Sequence, residues 1–240
     1  MKTILMLSMI LFVCSCKQKS TNSNVSNDSL SKQGLKGYKV FPFDESSNDP
    51  SLVDFLKKLK DVIKQKDTAS LYCLLDTEVV VSYGGALYGK KAFVEEWRLN
   101  QPESSKLWNE LSSKLKLGGA FEKEEDNQKI FRIPYASSNK AYGQLDFEFD
   151  CFSTAVCINP KEPVHESSDP SSKIIGYLQY DIVQLNGSSG KGKLTKIKTY
   201  DNKIEGFIDG MSLIDCAESK LDLKKNKNGQ WKIMSLAPFD

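Results

Sequence analysis

Ala155-Val156-Cys157-Ile158, Ile174-Ile175-Gly176-Tyr177-Leu178 and Tyr180-Asp181-Ile182-Val183-Gln184-Leu185 open the stretch that decides the fold. It continues through Leu194 to Tyr200, Ile204-Glu205-Gly206-Phe207-Ile208 and Leu213-Ile214. These runs are short and rich in β-branched and aromatic side chains. Between them lie a polar loop from Asn159 to Lys173 with Pro160, Pro163 and Pro170, a glycine-rich turn from Asn186 to Gly192, and the Asp201-Asn202 turn. Such punctuation over about sixty residues predicts a small all-β barrel. It is placed at residues 151–216.

The stretch resembles the bacterial SH3-like family, in which a Val-Arg loop leads into a Ser-Lys-Val-Ile-Gly strand and a Gly-aromatic-Val strand closes the barrel. Val164-His165, Ser172-Lys173-Ile174-Ile175-Gly176 and Gly206-Phe207-Ile208 stand in that order. His165 replaces the family's Arg, and Ser167-Ser168 replace its Gly-Pro pair. The resemblance implies a groove whose flanking loops contact a ligand, with His165, Glu166, Tyr180 and Tyr200 as contact residues. The implied partner is a cell-wall peptide or an envelope protein.

Upstream, the apolar period changes. Asp49-Pro50 sets an N-cap carboxylate before a first-turn proline, and Leu52, Phe55, Leu56, Leu59, Val62 and Ile63 then recur at helical spacing. A helix of about four turns with one buried stripe is expected. Asp67 caps a second helix, Thr68 to Leu75, buried through Leu71, Leu74 and Leu75. A strand from Glu78 to Tyr83 ends at Gly84-Gly85, and Gly89 opens a third helix carrying Phe93 and Trp97. After Pro102 to Ser105, a fourth carries Leu107, Trp108, Leu111 and Leu115 up to Gly118-Gly119. Phe131, Ile133 and Tyr135 alternate as a strand. Near the end, Asn228-Gly229 predicts a type I′ hairpin between Leu221-Asp222-Leu223 and Trp231-Lys232-Ile233-Met234.

The early helices, the Gly-Gly turn and Gly89-Lys90-Lys91-Ala92-Phe93 leading into a helix resemble the opening of the NTF2-like fold, in which a curved sheet wraps a long helix. The hairpin Asn228-Gly229-Gln230-Trp231-Lys232-Ile233 resembles its closing strands. The resemblance implies an α+β protein in which residues 217–240 rejoin a module of residues 41–150, with the barrel inserted. The other reading appends the last two strands to the barrel. A cavity lined by Tyr83, Trp97 or Tyr135 is also implied. At the join, Leu145, Phe147 and Phe149 put apolar groups at odd positions, whereas Phe152, Val156 and Ile158 put them at even ones. A strand changes its buried face only through a bulge, a bend or a change of sheet, so the crossing is placed near Cys151.

Met1-Lys2 and the apolar run Ile4 to Val13 have the form of a signal peptide, too short to span a bilayer. Val13-Cys14-Ser15-Cys16 resembles the bacterial lipoprotein box, which implies cleavage after residue 15 and lipid on Cys16; plain secretion is the other reading. Residues 16–40 are polar and read as a tether, and about twenty flexible residues reach roughly 25 Å. The expected address is the cell envelope, anchored to the membrane through Cys16, at the outer membrane facing the periplasm.

A net charge of +2 from 33 basic and 31 acidic side chains gives no field to recruit nucleic acid. Lys191, Lys193, Lys196 and Lys198 read as a solvated strand edge. His165 is the only histidine, so the Cys-His-His peptidase sites found beside SH3-like domains cannot be assembled. Asp146, Glu148 and Asp150 read as the wet face of a strand, and Glu122 to Asp126 as a charged hairpin loop. Cys73 is expected buried. Cys151 and Cys157 would lie about 20 Å apart on a straight strand, beyond bridging range. A Cys157–Cys216 bridge would clasp the barrel ends. Zinc-like spacings, phosphate-binding glycine loops and nucleophile elbows do not occur. The sequence therefore predicts no catalytic residue, no metal and no cofactor: a non-catalytic binding module. A small-ligand carrier or enzyme using an NTF2-like cavity, and a structural envelope protein, are the alternatives.

Overall fold

Two open β-sheets with helices on the first make an α+β protein. The computed structural model describes residues 38–85, 87–123, 128–142, 150, 152–186, 194–215 and 218–237. The lipid-box Cys16, the tether before residue 38, Asp146, Glu148, Cys151, Lys191, Lys193 and Cys216 lie outside the described residues. In chain order the elements are α1 (Pro50–Gln65), α2 (Thr68–Leu74), β1 (Leu75–Ser82), β2 (Leu87–Tyr88), α3 (Gly89–Glu96), α4 (Leu107–Lys114), β3 (Ala120–Lys123), β4 (Lys129–Ile133) and α5 (Asn139–Tyr142). There follow β5 (Thr154–Cys157), β6 (Glu162–His165), β7 (Ile174–Leu178), β8 (Ile182–Leu185), β9 (Leu194–Thr199), β10 (Glu205–Asp209), β11 (Leu213–Asp215), β12 (Lys220–Lys225) and β13 (Trp231–Ala237).

The first sheet has the order β2-β1-β13-β12-β4-β3, with β1 parallel to β13 and the other neighbours antiparallel. The last two strands thus lie at its centre, between strands contributed by residues before 134. Helix α1 begins where Asp49 accepts the Ser51 and Leu52 N–H groups, and its stripe from Leu52 to Ile63 is wholly buried. That stripe packs on Val79 and Val81 of β1, Phe131 and Ile133 of β4, and Leu221, Leu223, Ile233 and Leu236 of the hairpin. Each such side chain removed from water contributes about 1.5–3 kcal/mol, so this face holds the helix to the sheet. The hairpin loop is longer than a two-residue type I′ turn. Asn226 pairs with Gln230, the Gly229 N–H donates to Asn226 O at 2.9 Å, and Gly229 alone in the loop has positive φ, at 74°. Asn226 Oδ1, accepting from the Asn228 and Gln230 N–H groups, favours this wider three-residue turn.

Glu122 belongs to β3 and not to a loop. It is buried, because Arg132 on the neighbouring β4 binds it through Nη1 at 2.7 Å while binding Asp222 of β12 through Nε at 2.8 Å and Nη2 at 3.0 Å. Burial pushes the Glu122 carboxyl above its ordinary range. The expected strand through Tyr135 ends at Ile133; Tyr135 starts a 3₁₀ turn, Tyr135–Ser137, and is fully buried.

The second sheet has the order β11-β5-β8-β9-β10-β6-β7, antiparallel throughout, and closes no barrel among the described residues. It curls enough that its two edge strands share a core: Leu213 of β11 and Leu178 of β7 join Ala155, Val164, Val183, Ile197 and Ile208. Part of the expected polar loop forms β6. Pro163 is tolerated there because β6 meets β10 only at His165–Phe207, so the missing N–H breaks no ladder on that side. Lys196 and Lys198 lie on β9, an interior strand and not an edge; they face outward from alternate positions, with Lys196 bound to Glu205 at 2.8 Å. Between the sheets Val40, Tyr135, Ala136, Ala141, Val156, Ile182 and Ile214 form a third cluster. Cys157 is a free buried thiol, not a bridge, and burial pushes it up to about 11; Cys73 is exposed, on the side of α2 away from Leu71 and Leu74.

Candidate functional site

Tyr180 and Tyr200 sit at the two ends of one contact, and what they grip is the chain itself. Residues 38–43 cross the start of β8 as an extended strap, antiparallel to it, with Lys39 opposite Asp181. The Val40 N–H donates to Tyr180 O at 2.9 Å and the Ile182 N–H donates to Tyr38 O at 2.7 Å. Lys39 Nζ donates to Gln179 O at 2.8 Å and to Asp181 Oδ2 at 3.0 Å. Tyr38 stacks on Tyr200 with ring centroids 5.6 Å apart and planes 20° apart, and Phe41 meets Tyr180 at 5.5 Å. Val40, between the two aromatic pairs, is 3% exposed. Backbone pairing, a buried aliphatic side chain, a cation on a carboxylate and two aromatic contacts make a full set for recognising an extended polypeptide.

The seat is rigid on the sheet side and strained at the contact. Tyr200 shares a hydrogen bond of 2.7 Å with Thr154, which is fully buried on β5. Asp181 is fixed by the Gln179 N–H at 2.6 Å. Tyr38 and Tyr180 both hold left-handed backbone, at φ 57° and 55°. A non-glycine residue there costs of order 1–3 kcal/mol, which the surrounding contacts must offset. Beside the strap a groove of about 150 Å³ remains, lined by Tyr177, Tyr200, Asp201 and Lys203 among others.

The other two expected contact residues stand apart from this seat. His165 is a half-buried ladder residue of β6, paired with Phe207 and Ile174, with Nδ1 3.2 Å from Ser172 O. Glu166 is exposed, and its N–H donates to Lys173 O at 2.9 Å. Neither lines the groove. Tyr83, Trp97 and Tyr135 do not converge: Tyr83 is exposed, Trp97 packs beside Phe93 in the first core, and Tyr135 lies in the cluster between the sheets. Among the described residues no group of His, Cys, Asp and Glu is placed to hold a metal ion, and no helix is long and apolar enough to cross a membrane.

The strap itself was not anticipated, since residues up to 40 read as tether. The signal was present in Tyr38-Lys39-Val40-Phe41, two aromatic residues and a valine around one lysine at the end of a polar tract. Comparison of the chain with protein-family models, curated proteins and solved structures gives no match.

Proposed function

We propose that this is a non-catalytic binding protein, held at the bacterial envelope by lipid on Cys16, whose second sheet docks an extended segment of an envelope protein at the start of β8. The observation that carries the reading is the strap: the sheet already holds Tyr38–Phe41 by paired backbone, ion pair and aromatic contacts. A partner segment with an aromatic, a cation, an aliphatic and a second aromatic residue in that order would reproduce every contact. The aromatic positions favour a protein segment over a cell-wall stem peptide. Short antiparallel strands with a core shared by both edges support an SH3-like reading of the second sheet. A long helix lying against the first sheet supports an NTF2-like reading of the other module, with the second sheet as an insert.

The test is a titration of the peptide Tyr-Lys-Val-Phe-Pro-Phe into the full chain carrying Val40→Asp, which unseats the strap. Saturable binding that Asp181→Ala weakens is expected. Absence of binding, together with retention on purified peptidoglycan that Asp181→Ala abolishes, would replace the protein partner with the cell wall.

A further inference from the structure

A second cavity lies away from the strap seat, between α1, the end of α4 and the strap's continuation. It is a cleft of about 810 Å³, within the range of small-molecule sites. Its apolar lining comes from Phe43, Ile63, Leu115 and Leu117, and its rim carries Lys60, Lys64 and Lys116. Lys60 and Lys64 are four positions apart and therefore project from one face of α1. Among the described residues none of these three lysines forms an ion pair; others such as Lys58 and Lys227 share that state, and what sets these three apart is that they line one cleft. The one carboxylate in the lining, Asp44, accepts the Ser46 N–H at 2.9 Å. An adjoining recess of about 310 Å³ shares Asp44, Lys60, Leu115 and Gly118 with the cleft, is lined in addition by Lys57 and Asp61, and leads to buried Leu56, Phe131 and Ile133.

We propose that this cleft binds a single-chain amphiphile with an anionic head, its apolar chain lying along Phe43, Leu115 and the recess and its carboxylate or phosphate among the three lysines. Unpaired cations at the mouth and apolar walls behind them give the site its polarity: a head of either anionic type satisfies the rim, and a cationic head of the same chain length does not. The occupant is a free molecule and not a bilayer, because Pro42 to Asp44 wall one side of the cleft and the apolar surface continues into the recess rather than lying as a flat face.

The experiment uses the unlipidated full chain, Cys16→Ser, with 1-anilinonaphthalene-8-sulfonate as a fluorescent probe. The expected result is saturable binding at low salt, displaced by decanoate and not by decyltrimethylammonium. Lys60→Glu with Lys64→Glu is expected to weaken the probe about tenfold or more, since it replaces two attractive charges with two repulsive ones. Because these lysines are exposed and unpaired, the variant keeps the fold; Lys58→Glu with Lys227→Glu, both exposed and lining neither the cleft nor the recess, is the control of equal charge change and leaves affinity within about twofold. Equal displacement by the cationic chain, or unchanged affinity in the Lys60 and Lys64 variant, overturns the proposal. Binding to phosphatidylglycerol vesicles without displacement by decanoate overturns it in favour of a bilayer contact.

Discussion

Removing the Arg132 guanidinium tests whether the returning C-terminal hairpin is locked into the first sheet. Arg132 donates three hydrogen bonds, two to Asp222 and one to Glu122, and the two carboxylate side chains are each 6% exposed. Arg132→Ala leaves both anions away from water with no guanidinium between them. Taking one partner out of a buried ion pair costs about 3–5 kcal/mol. Lys220 moderates the loss: half-buried, its ammonium is disfavoured by burial and by Arg132, so it is better placed to compensate once Arg132 is gone. The lower end, about 3 kcal/mol, is therefore expected. In urea unfolding with a slope of about 3 kcal/mol per M, that is a midpoint shift of about 1 M. Acid gives the sharper signature. Burial raises Glu122, so the folded state holds that proton more tightly than the unfolded chain, and stability falls as pH rises above about 4.5 toward the folded value. Without Arg132 this slope steepens, so the deficit is largest at pH 7 and shrinks on acidification. Adding Glu122→Gln and Asp222→Asn removes the stranded charges and recovers most of the loss. A deficit under about 1 kcal/mol at pH 7, or one that does not shrink in acid, would refute the buried network.

Three further outcomes follow from particular residues. Gly118→Ala puts a Cβ 2.7 Å from Asp44 Cβ and 2.9 Å from the Phe43 carbonyl at a φ of 69°, so the strap must move; trypsin cleavage at Lys39 and a loss of about 2 kcal/mol in thermal unfolding are expected. Asp49→Ala removes the α1 N-cap and its 2.8 Å bond to Lys225, a loss of about 1 kcal/mol by urea titration at pH 7. Those partners hold the Asp49 carboxyl down to about 2 from 3.8, so its contribution is complete above 3.8, and the difference between variant and parent fades as pH falls toward 2. Finally, iodoacetamide labelling followed by peptide mapping modifies Cys73 in the native protein and Cys157 only after denaturation, because burial both shields the Cys157 thiol and holds it up to about 11.

What could be read in the sequence was whatever repeats within a few positions. The α1 stripe from Leu52 to Ile63 was fully legible because one face of a helix is written at a fixed spacing and its Asp49-Pro50 start carries its own chemistry. The runs that became β5, β7, β8, β9, β10 and β11 were legible for the same reason. Strand β6 was hidden because Pro163 and polar Glu162 and His165 look like a loop until β7 and β10 are there to pair with them. Long-range chemistry left no local trace: Glu122 reads as part of an acidic run, and only β4 and β12, ninety positions apart at Arg132 and Asp222, show why it is buried. Of the four residues expected at a groove, Tyr180 and Tyr200 lie at the strap and His165 and Glu166 stand apart from it. Tyr180 and Tyr200 came from the family resemblance, whereas the strap they hold lies well over a hundred positions upstream and announces itself only through Tyr38, Val40 and Phe41 set around one lysine.

That strap joins the two proposed sites. Its first residues, Tyr38 to Phe41, are seated on the second sheet, and its next ones, Pro42 to Asp44, form a wall of the cleft beside α1. Beyond them it is pinned again, where the Glu45 N–H donates to Gly119 O at 2.9 Å and Glu45 Oε2 accepts the Phe121 N–H at 2.9 Å. A partner segment can take the seat only by lifting Tyr38 to Phe41, which loosens the chain on one side of Phe43 while the edge contact of Phe43 with Tyr135, at 5.5 Å, holds the other. An amphiphile lying against Phe43 favours the seated strap to the extent that this loosening moves the Phe43 ring. Linkage then fixes the size of the effect in both directions: whatever factor the amphiphile adds to the partner's dissociation constant, the partner adds to the amphiphile's. Occupants of the two proposed sites would then oppose each other through the seven residues from Tyr38 to Asp44.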